Sequence, residues 1–392
     1  MRLSKPLFFC CLLACGFAAG AKTPKLFGIP VQYTSDSGYK FGVGGVFQYD
    51  HDGFSNGGHD PLTGAPLFKD ANGWNRSELD PYFETPNGLK LQLGYDWDRS
   101  WTANYIQYSS KHYGDFRVGQ FLTPVGWQQL EGAPNWTFLT PSLPDLAISE
   151  NWRIGARWSY GHIPHWFFQL AYFSGGDLQG KFPGHTYAAR AVFNPIKTKK
   201  RVVHIGLSAS REYPSDHMAT FYAAPEASLT KTWLVNTKSL PLTDSIDREG
   251  LELGLLQGPL FVQGEYLEMA AHREDGLPEF RGRGYYVLGA WMLTGETART
   301  YKFGKFQLPK PKHSYGAVGI AVRYSELDLA DGIVQGGRED NWTVGVNWYV
   351  NRNLELQADY VWAHANHSPA NLYVAPVDPR VFEVRAQISF GP

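Results

Sequence analysis

The chain has 392 residues, 19% of them charged and 15% aromatic, and its 36 basic residues nearly balance 37 acidic ones. That balance leaves no basic footprint for a nucleic-acid partner. Past the amino terminus no run of about 18 apolar residues exists, which excludes a transmembrane helix but not a barrel with a polar lumen.

The first residues read as a secretory signal: Arg2 and Lys5 form a basic start, 7–19 an apolar stretch, and Ala19-Gly20-Ala21 a small-residue cleavage site. Residues 1–21 are therefore expected to be removed, 22–38 to form an amino-terminal periplasmic segment, and 39–392 to form one folded unit. Cys10, Cys11 and Cys15 all lie in the signal, so no disulfide is expected in the mature chain. Removing Arg2 and Lys5 from the 36 basic residues leaves 34 against 37 acidic, a net charge of −3.

From there the dominant signal has a period of two, the mark of strands whose side chains leave alternate faces. It predicts strands at 39–49, 74–84, 89–98, 101–108, 114–121, 152–160, 165–174 and 185–194. It continues at 201–211, 249–257, 259–269, 283–293, 314–325, 341–350, 354–362 and 381–390. The clearest pair is 341–362, in which Trp342, Val344, Val346 and Trp348 share one face with Leu356, Ala358, Tyr360 and Trp362. Thr343, Gly345 and Asn347 share the other with Glu355, Gln357 and Asp359, and Asn351-Arg352-Asn353 turns the hairpin. An apolar face ending in Trp or Tyr on most strands fits a wall that meets lipid, with aromatics at the headgroup level.

The connections alternate in length. Those at 85–88, 161–164, 195–200, 258 and 351–353 are short, and those at 50–73, 122–151, 212–248 and 363–380 are long. Short turns at one end and long loops at the other are the habit of outer-membrane barrels. Arg99-Ser100 is short where a long loop is due, and 294–313 is long where a short turn is due. The fold predicted is all-β: a transmembrane antiparallel β-barrel of about 16 strands, with loops folded into the lumen. A soluble propeller would show a blade-length repeat, and none is present.

Several segments together resemble the phosphate-selective porin O/P family of Gram-negative outer membranes. They are 285–302 (YYVLGAWMLTGETARTYK), with Leu293-Thr294-Gly295-Glu296, Arg299 and Tyr301-Lys302, and then 316–329 (GAVGIAVRYSELDL), 344–351 (VGVNWYVN), 258–266 (GPLFVQGEY) and 116–126 (FRVGQFLTPVG). The resemblance implies a sixteen-stranded barrel, usually a homotrimer, in which the loops 122–151 and 212–248 and the turn 294–313 fold inward as a constriction. It also implies partners: outer-membrane lipid, and small anions or other small solutes. No cofactor and no nucleic acid is implied.

Strand parity places Lys90, Arg117, Arg153, Arg157, Arg190, Arg323 and Arg385 toward the lumen, and Asp96, Asp98, Glu252, Glu265, Glu355, Asp359 and Glu383 with them. Such a balance is compatible with plain salt bridges across the wall. The resemblance singles out Arg117 as a constriction residue, Arg76 as one of a pair of ladder arginines whose other member is here Asn75, and Asp96 as an acid near the binding site. It puts Lys302, Lys305, Lys310 and Lys312 on the inward turn. Against it, Val46 stands where the family has another ladder arginine, and the fifth loop offers only Lys231 and Lys238 before Arg248. The candidate pathway is Arg76, Asp96, Arg117, Arg153, Arg157, Arg323, Lys302 and Lys305, since guanidinium groups suit oxyanions by charge and planar geometry.

Asp50, Asp52, Asn56 and Asp60 cluster near glycine as calcium ligands do, and His162/His165 and His364/His367 have metal-like spacing. A solvated loop or turn is the simpler reading of each. No nucleophile-elbow, phosphate-cradling or zinc-protease motif appears. The function expected is passive diffusion of small hydrophilic solutes through the outer membrane, selective for phosphate or other anions. The alternatives are a porin without anion preference and a barrel enzyme or adhesin acting through its loops.

Overall fold

The computed structural model describes residues 23–60, 62–366 and 377–391. The signal segment, His367 and Pro392 lie outside the described residues. Among those described, sixteen antiparallel strands close into one barrel. We number them β1 (Lys40–Ser55), β2 (Ala71–Glu84), β3 (Leu89–Gln92, resuming at Tyr95–Asp96), β4 (Ser100–Trp101, resuming at Asn104–Ser110), β5 (Gly114–Leu122) and β6 (Trp152–Tyr160). Next come β7 (Trp166–Phe173), β8 (Gly184–Lys197), β9 (Arg201–Pro214), β10 (Thr243–Gln257) and β11 (Leu260–Arg273). The last five are β12 (Phe280–Met292), β13 (Ala317–Asp331), β14 (Val334–Tyr349), β15 (Leu354–Asn366) and β16 (Arg380–Phe390). The barrel closes where β16 pairs with β1, Ala386 opposite Tyr49. Ahead of β1, Gln32–Thr34 adds a short strand to its edge.

The outward face carries the expected apolar band. Leu253, Val262, Val287, Ile320, Val344 and Val346 are exposed along its middle, Trp291 and Trp348 toward the short-turn end, and Tyr266, Tyr285 and Trp342 toward the long-loop end. Every predicted strand is present, but several run further than the alternation indicated. The expected loop between 325 and 341 is strand on both sides of a tight turn at Gly332-Ile333. The reason is an inversion of polarity. Above Tyr324 the outward residues become charged (Glu326, Asp328), while inward Leu327 and Leu329 are fully buried.

They are buried because the barrel is filled on one side. The third loop, with helices α1 (Trp127–Glu131) and α2 (Leu143–Ala147), lies inside against β10–β15. One buried cluster joins Val125, Leu143 and Ile148 of this loop to Phe221 and Val235 of the fifth loop and to Leu267, Met269, Phe280 and Leu327 of the wall. A second joins Trp127 and Phe138 to Phe306 of the 293–316 turn and to Leu256, Phe261, Tyr286 and Leu288. Two inward glycines make room for it. A Cβ on Gly254 would come within 2.7 Å of the Trp127 ring and 2.8 Å of Phe306, and one on Gly345 within 3.1 Å of Phe138. Glycine in a strand here marks close approach rather than a bend.

At β3 and β4 the wall is interrupted between Gln92 and Tyr95 and between Trp101 and Asn104. The Asn104 amide mends the gap, donating to the carbonyls of Gly94 (2.9 Å) and Thr102 (3.1 Å), and Gln120 donates to those of Trp101 and Thr102. Backbone groups left unpaired at this depth would be costly.

Candidate functional site: a lumen sorted by charge

Of the seven lumen bases predicted from parity, Lys90, Arg153, Arg190, Arg323 and Arg385 lie within 4.0 Å of a carboxylate, and Arg117 and Arg157 do not, among the described residues. Most of the acids lie under the inward loops, where they accept backbone N–H groups or close ion pairs. Both oxygens of Glu265 accept the Trp127 amide (2.8 and 3.0 Å), and Asp359 accepts that of Leu139 at 2.8 Å. Glu383 accepts Ser228 N at 2.9 Å, and Asp52 accepts Ser228 Oγ and Leu229 N at 2.8 and 2.7 Å. Asn347 donates to the Thr137 carbonyl at 2.9 Å, so this residue and Asp359 hold the third loop down. Asp98 departs from the parity prediction: β3 ends at Asp96, and Asp98 is exposed in the turn beyond it.

Four arginines are consumed in the same way. Arg153 pairs with Glu212 and, at 3.2 Å, with Glu150. Arg190 meets Glu252 through two bonds of 2.7 and 2.6 Å and donates to the Gly304 carbonyl of the inward turn. Arg323 pairs with Glu226 of the fifth loop at 2.8 Å and donates to the Thr140 carbonyl at 2.9 Å. Arg385 grips Asp50 through both nitrogens and the Leu139 carbonyl at 2.7 Å. Each of these guanidinium groups is nearly sealed from solvent. They brace the loops rather than face open lumen.

On the opposite wall, β2 to β6, the pattern differs. Arg117 on β5 and Arg157 on β6 are direct cross-strand partners, and both are half-buried. Neither has a carboxylate within 4.0 Å among the described residues. Arg117 lies over the Tyr105 ring at 3.7 Å and gives two bonds to the Gln107 amide oxygen. Arg157 lies 5.1 Å from the centre of the Phe121 ring, with its Nε unpartnered among the described residues. Such stacking holds a cation in place without neutralising it. Nearer the long loops, Arg76 pairs with Glu78 (3.0 Å) and approaches Asp96 (3.7 Å), whose carboxylate also caps the amides of Ser77 and Asp98. Arg99 donates to the Asn75 carbonyl and side chain. Parity missed Arg99 because it sits in a turn; the only hint was the unexpectedly short connection that carries it.

The inward turn supplies the third side. A small ribbon pairs Thr300–Lys302 with Lys305–Gln307. Arg299 ties it to the Asn135 carbonyl (3.1 Å) and to Thr137, and Leu308 N bonds the Asn135 side chain at 3.1 Å. Tyr301 Oη reaches His204 Nδ1 at 2.7 Å, with Trp127 stacked on the same imidazole at 4.1 Å. Lys305 donates to the Leu130 carbonyl, whereas Lys302 is exposed beside Phe303. Enclosure, and then the cations of Arg157, Arg190 and Arg117, push the Lys305 ammonium down to about 8. Below it a cavity of about 1160 Å³, lined by Tyr82, Lys90, Gln92, Asn135, Lys310 and Arg352 among others, reaches the short-turn end.

A sequence profile of the family described as phosphate-selective porin O and P matches residues 84–390. This chain belongs to that family. An uncharacterized protein of Caulobacter vibrioides is 26% identical over 299 residues, covering 69% of this chain and 59% of that protein. Porin O of Pseudomonas aeruginosa is 35% identical over 127 residues, 29% of each chain. The chain thus spans less than two thirds of the length of either relative. The barrel is shared more widely: OmpT of Vibrio cholerae (TM-score 0.57, 91% of this chain and 98% of that one) and the outer-membrane channel DcaP of Acinetobacter baumannii (TM-score 0.56, 91% and 99%) are both 11% identical to it. Within this porin O/P chain, the family-like segment 293–302 proves to be the root of the inward turn, where Glu296 accepts Lys312 N at 3.3 Å.

The remaining candidates do not converge. Asp50 is held by Arg385 and Asn75, Asn56 bonds the Asp378 carbonyl, and Asp60 caps Leu62 and Thr63. His165 bonds the Asn194 carbonyl at 2.6 Å, and His364 pairs with Asp378.

Proposed function

We propose that this protein is an outer-membrane channel for passive diffusion of small hydrophilic solutes, with a preference for anions. The observation that carries the reading is the sorting of charge. Most of the lumen carboxylates predicted from parity are spent on the inward loops or in ion pairs, while the cross-strand partners Arg117 and Arg157 have no carboxylate at ion-pair distance among the described residues. An anion losing water there meets cations that replace part of its hydration. Arg76, Arg99 and Lys302 extend the basic track, and Arg153, Arg323 and Asp96 support it as braces. Phosphate is the anion suggested by the family description and by the likeness to Porin O. Residues 1–21 act as the export signal, and the working unit is a homotrimer, as one form of the related-fold Vibrio cholerae OmpT is described to be.

Planar-bilayer conductance of the purified protein in a salt gradient tests this. The expected reversal potential favours anions, and Arg157→Ala shifts it toward zero. Channels with no ion preference would leave a porin without the anion assignment. No conductance steps at all would favour a barrel that works through its loops, as an enzyme or adhesin.

A further inference from the structure

Gln107 on β4 stands beside Arg117 and faces the lumen with it. Its amide oxygen accepts from Arg117 Nε at 2.9 Å and from one Nη of the same guanidinium at 2.6 Å. The amide nitrogen donates to Ser109 Oγ at 3.0 Å, which fixes the orientation of the amide. The side-on edge of Arg117, one of the two edges with which a guanidinium can clasp an oxyanion through parallel bonds, is therefore already occupied. One face of the same group is covered by Tyr105. Arg157, its cross-strand partner, is arranged differently: its Nε is enclosed and has no hydrogen-bond partner among the described residues, so no side chain competes for it.

We propose that Gln107 is a specificity-determining residue, an internal competitor that withholds the Arg117 fork from tetrahedral oxyanions. The inference rests on the reading of Arg117 and Arg157 as lining the anion path. With Gln107 in place, Arg117 contributes charge and an aromatic-backed surface, which any small anion feels, but not its side-on fork. A spherical anion such as chloride loses little, because it needs no parallel pair of donors. Phosphate loses a bidentate contact. The residue thus tunes the channel toward flux of small anions and away from capture of phosphate.

The test compares Gln107→Ala and Gln107→Glu with the unaltered channel, reading the phosphate concentration that half-blocks chloride current through single channels. Gln107→Ala frees the fork and is expected to tighten phosphate block about two- to tenfold, the range of one net hydrogen bond, with chloride conductance nearly unchanged. Gln107→Glu closes an ion pair on Arg117 and is expected to weaken block and lower anion preference. Heat-resistant migration on gels checks that both variants fold. If Gln107→Ala leaves phosphate block unchanged while Arg157→Ala still abolishes anion preference, the competitor role is wrong and the anion path stands. Should Arg157→Ala also change nothing, the path itself has been misplaced, and the role of Gln107 falls with it.

Discussion

Lys305 and Glu131 approach the same narrow space from the inward turn and from α1, and their charges respond to pH in the same sense. Enclosure and three neighbouring guanidinium groups push Lys305 down to about 8, and burial pushes the Glu131 carboxyl up to about 8, with Arg299 opposing. At pH 7 the lysine is therefore charged and the glutamic acid neutral. Raising the pH to 9 removes a positive charge and adds a negative one, so both changes make the lumen more hostile to anions. The expected outcome is a reversal potential that loses anion preference between pH 7 and 9. A Lys305→Arg, Glu131→Gln double variant should hold its preference across that range, because arginine stays charged and glutamine never ionises. A flat profile in the unaltered channel would show that neither group reaches the permeating ion. At Arg117 the expectation is simpler: Arg117→Ala lowers anion preference, since its bonds to the neutral Gln107 amide leave the guanidinium charge uncompensated.

The third loop shows what a strand pattern can convey and what it cannot. Parity was enough to say that Glu265 and Asp359 point inward, because a period of two is a local property repeated along every strand. It was silent on what would cover them. A lumen carboxylate facing water and one receiving the Trp127 amide look alike in sequence, and so the equal count of acids and bases concealed which of them are paired. Gly254 and Gly345 carried a hint of the loop's course, since inward glycines leave sockets for Trp127 and Phe138. The inversion above Tyr324 likewise shortened the predicted strands, because an apolar inward residue such as Leu327 signals a filled interior rather than the end of a wall. The anchoring can be tested. Glu265→Ala leaves the Trp127 N–H buried without a partner, a cost of about 1–3 kcal/mol, and should loosen the loop. Single-channel records are expected to show larger, noisier openings, with Glu265→Gln intermediate because its amide oxygen still accepts one bond. Quiet channels of normal size from Glu265→Ala would mean that the hydrophobic contacts of Trp127 hold the loop by themselves.

Across the whole molecule the wall is uneven in height, and this bears on assembly. From Leu89 to Asp96, β3 covers eight residue positions, whereas β13 and β14 run for 15 and 16. At roughly 3.3 Å per residue and a tilt near 45°, β3 rises about 19 Å, less than the roughly 25 Å apolar band of an outer-membrane barrel. Lipid against this low side would have to thin, at a cost that grows with each ångström of mismatch. A second copy presenting its own low side removes the mismatch, and the exposed Leu93, Trp97 and Trp101 supply an apolar surface for it. The proposed homotrimer should therefore meet through β3 and β4, with β10–β14 toward lipid. Cysteines introduced singly at Leu93 and at Val287, both half-exposed on the outer face, separate the two sides. The native cysteines at 10, 11 and 15 fall in the segment expected to be removed. A short bismaleimide applied to native membranes is expected to link copies through Leu93→Cys and not through Val287→Cys on the tall wall. Equal yields from the two positions, or linkage from Val287→Cys alone, would turn the barrel around in its assembly and leave the low wall to be covered by bent lipid.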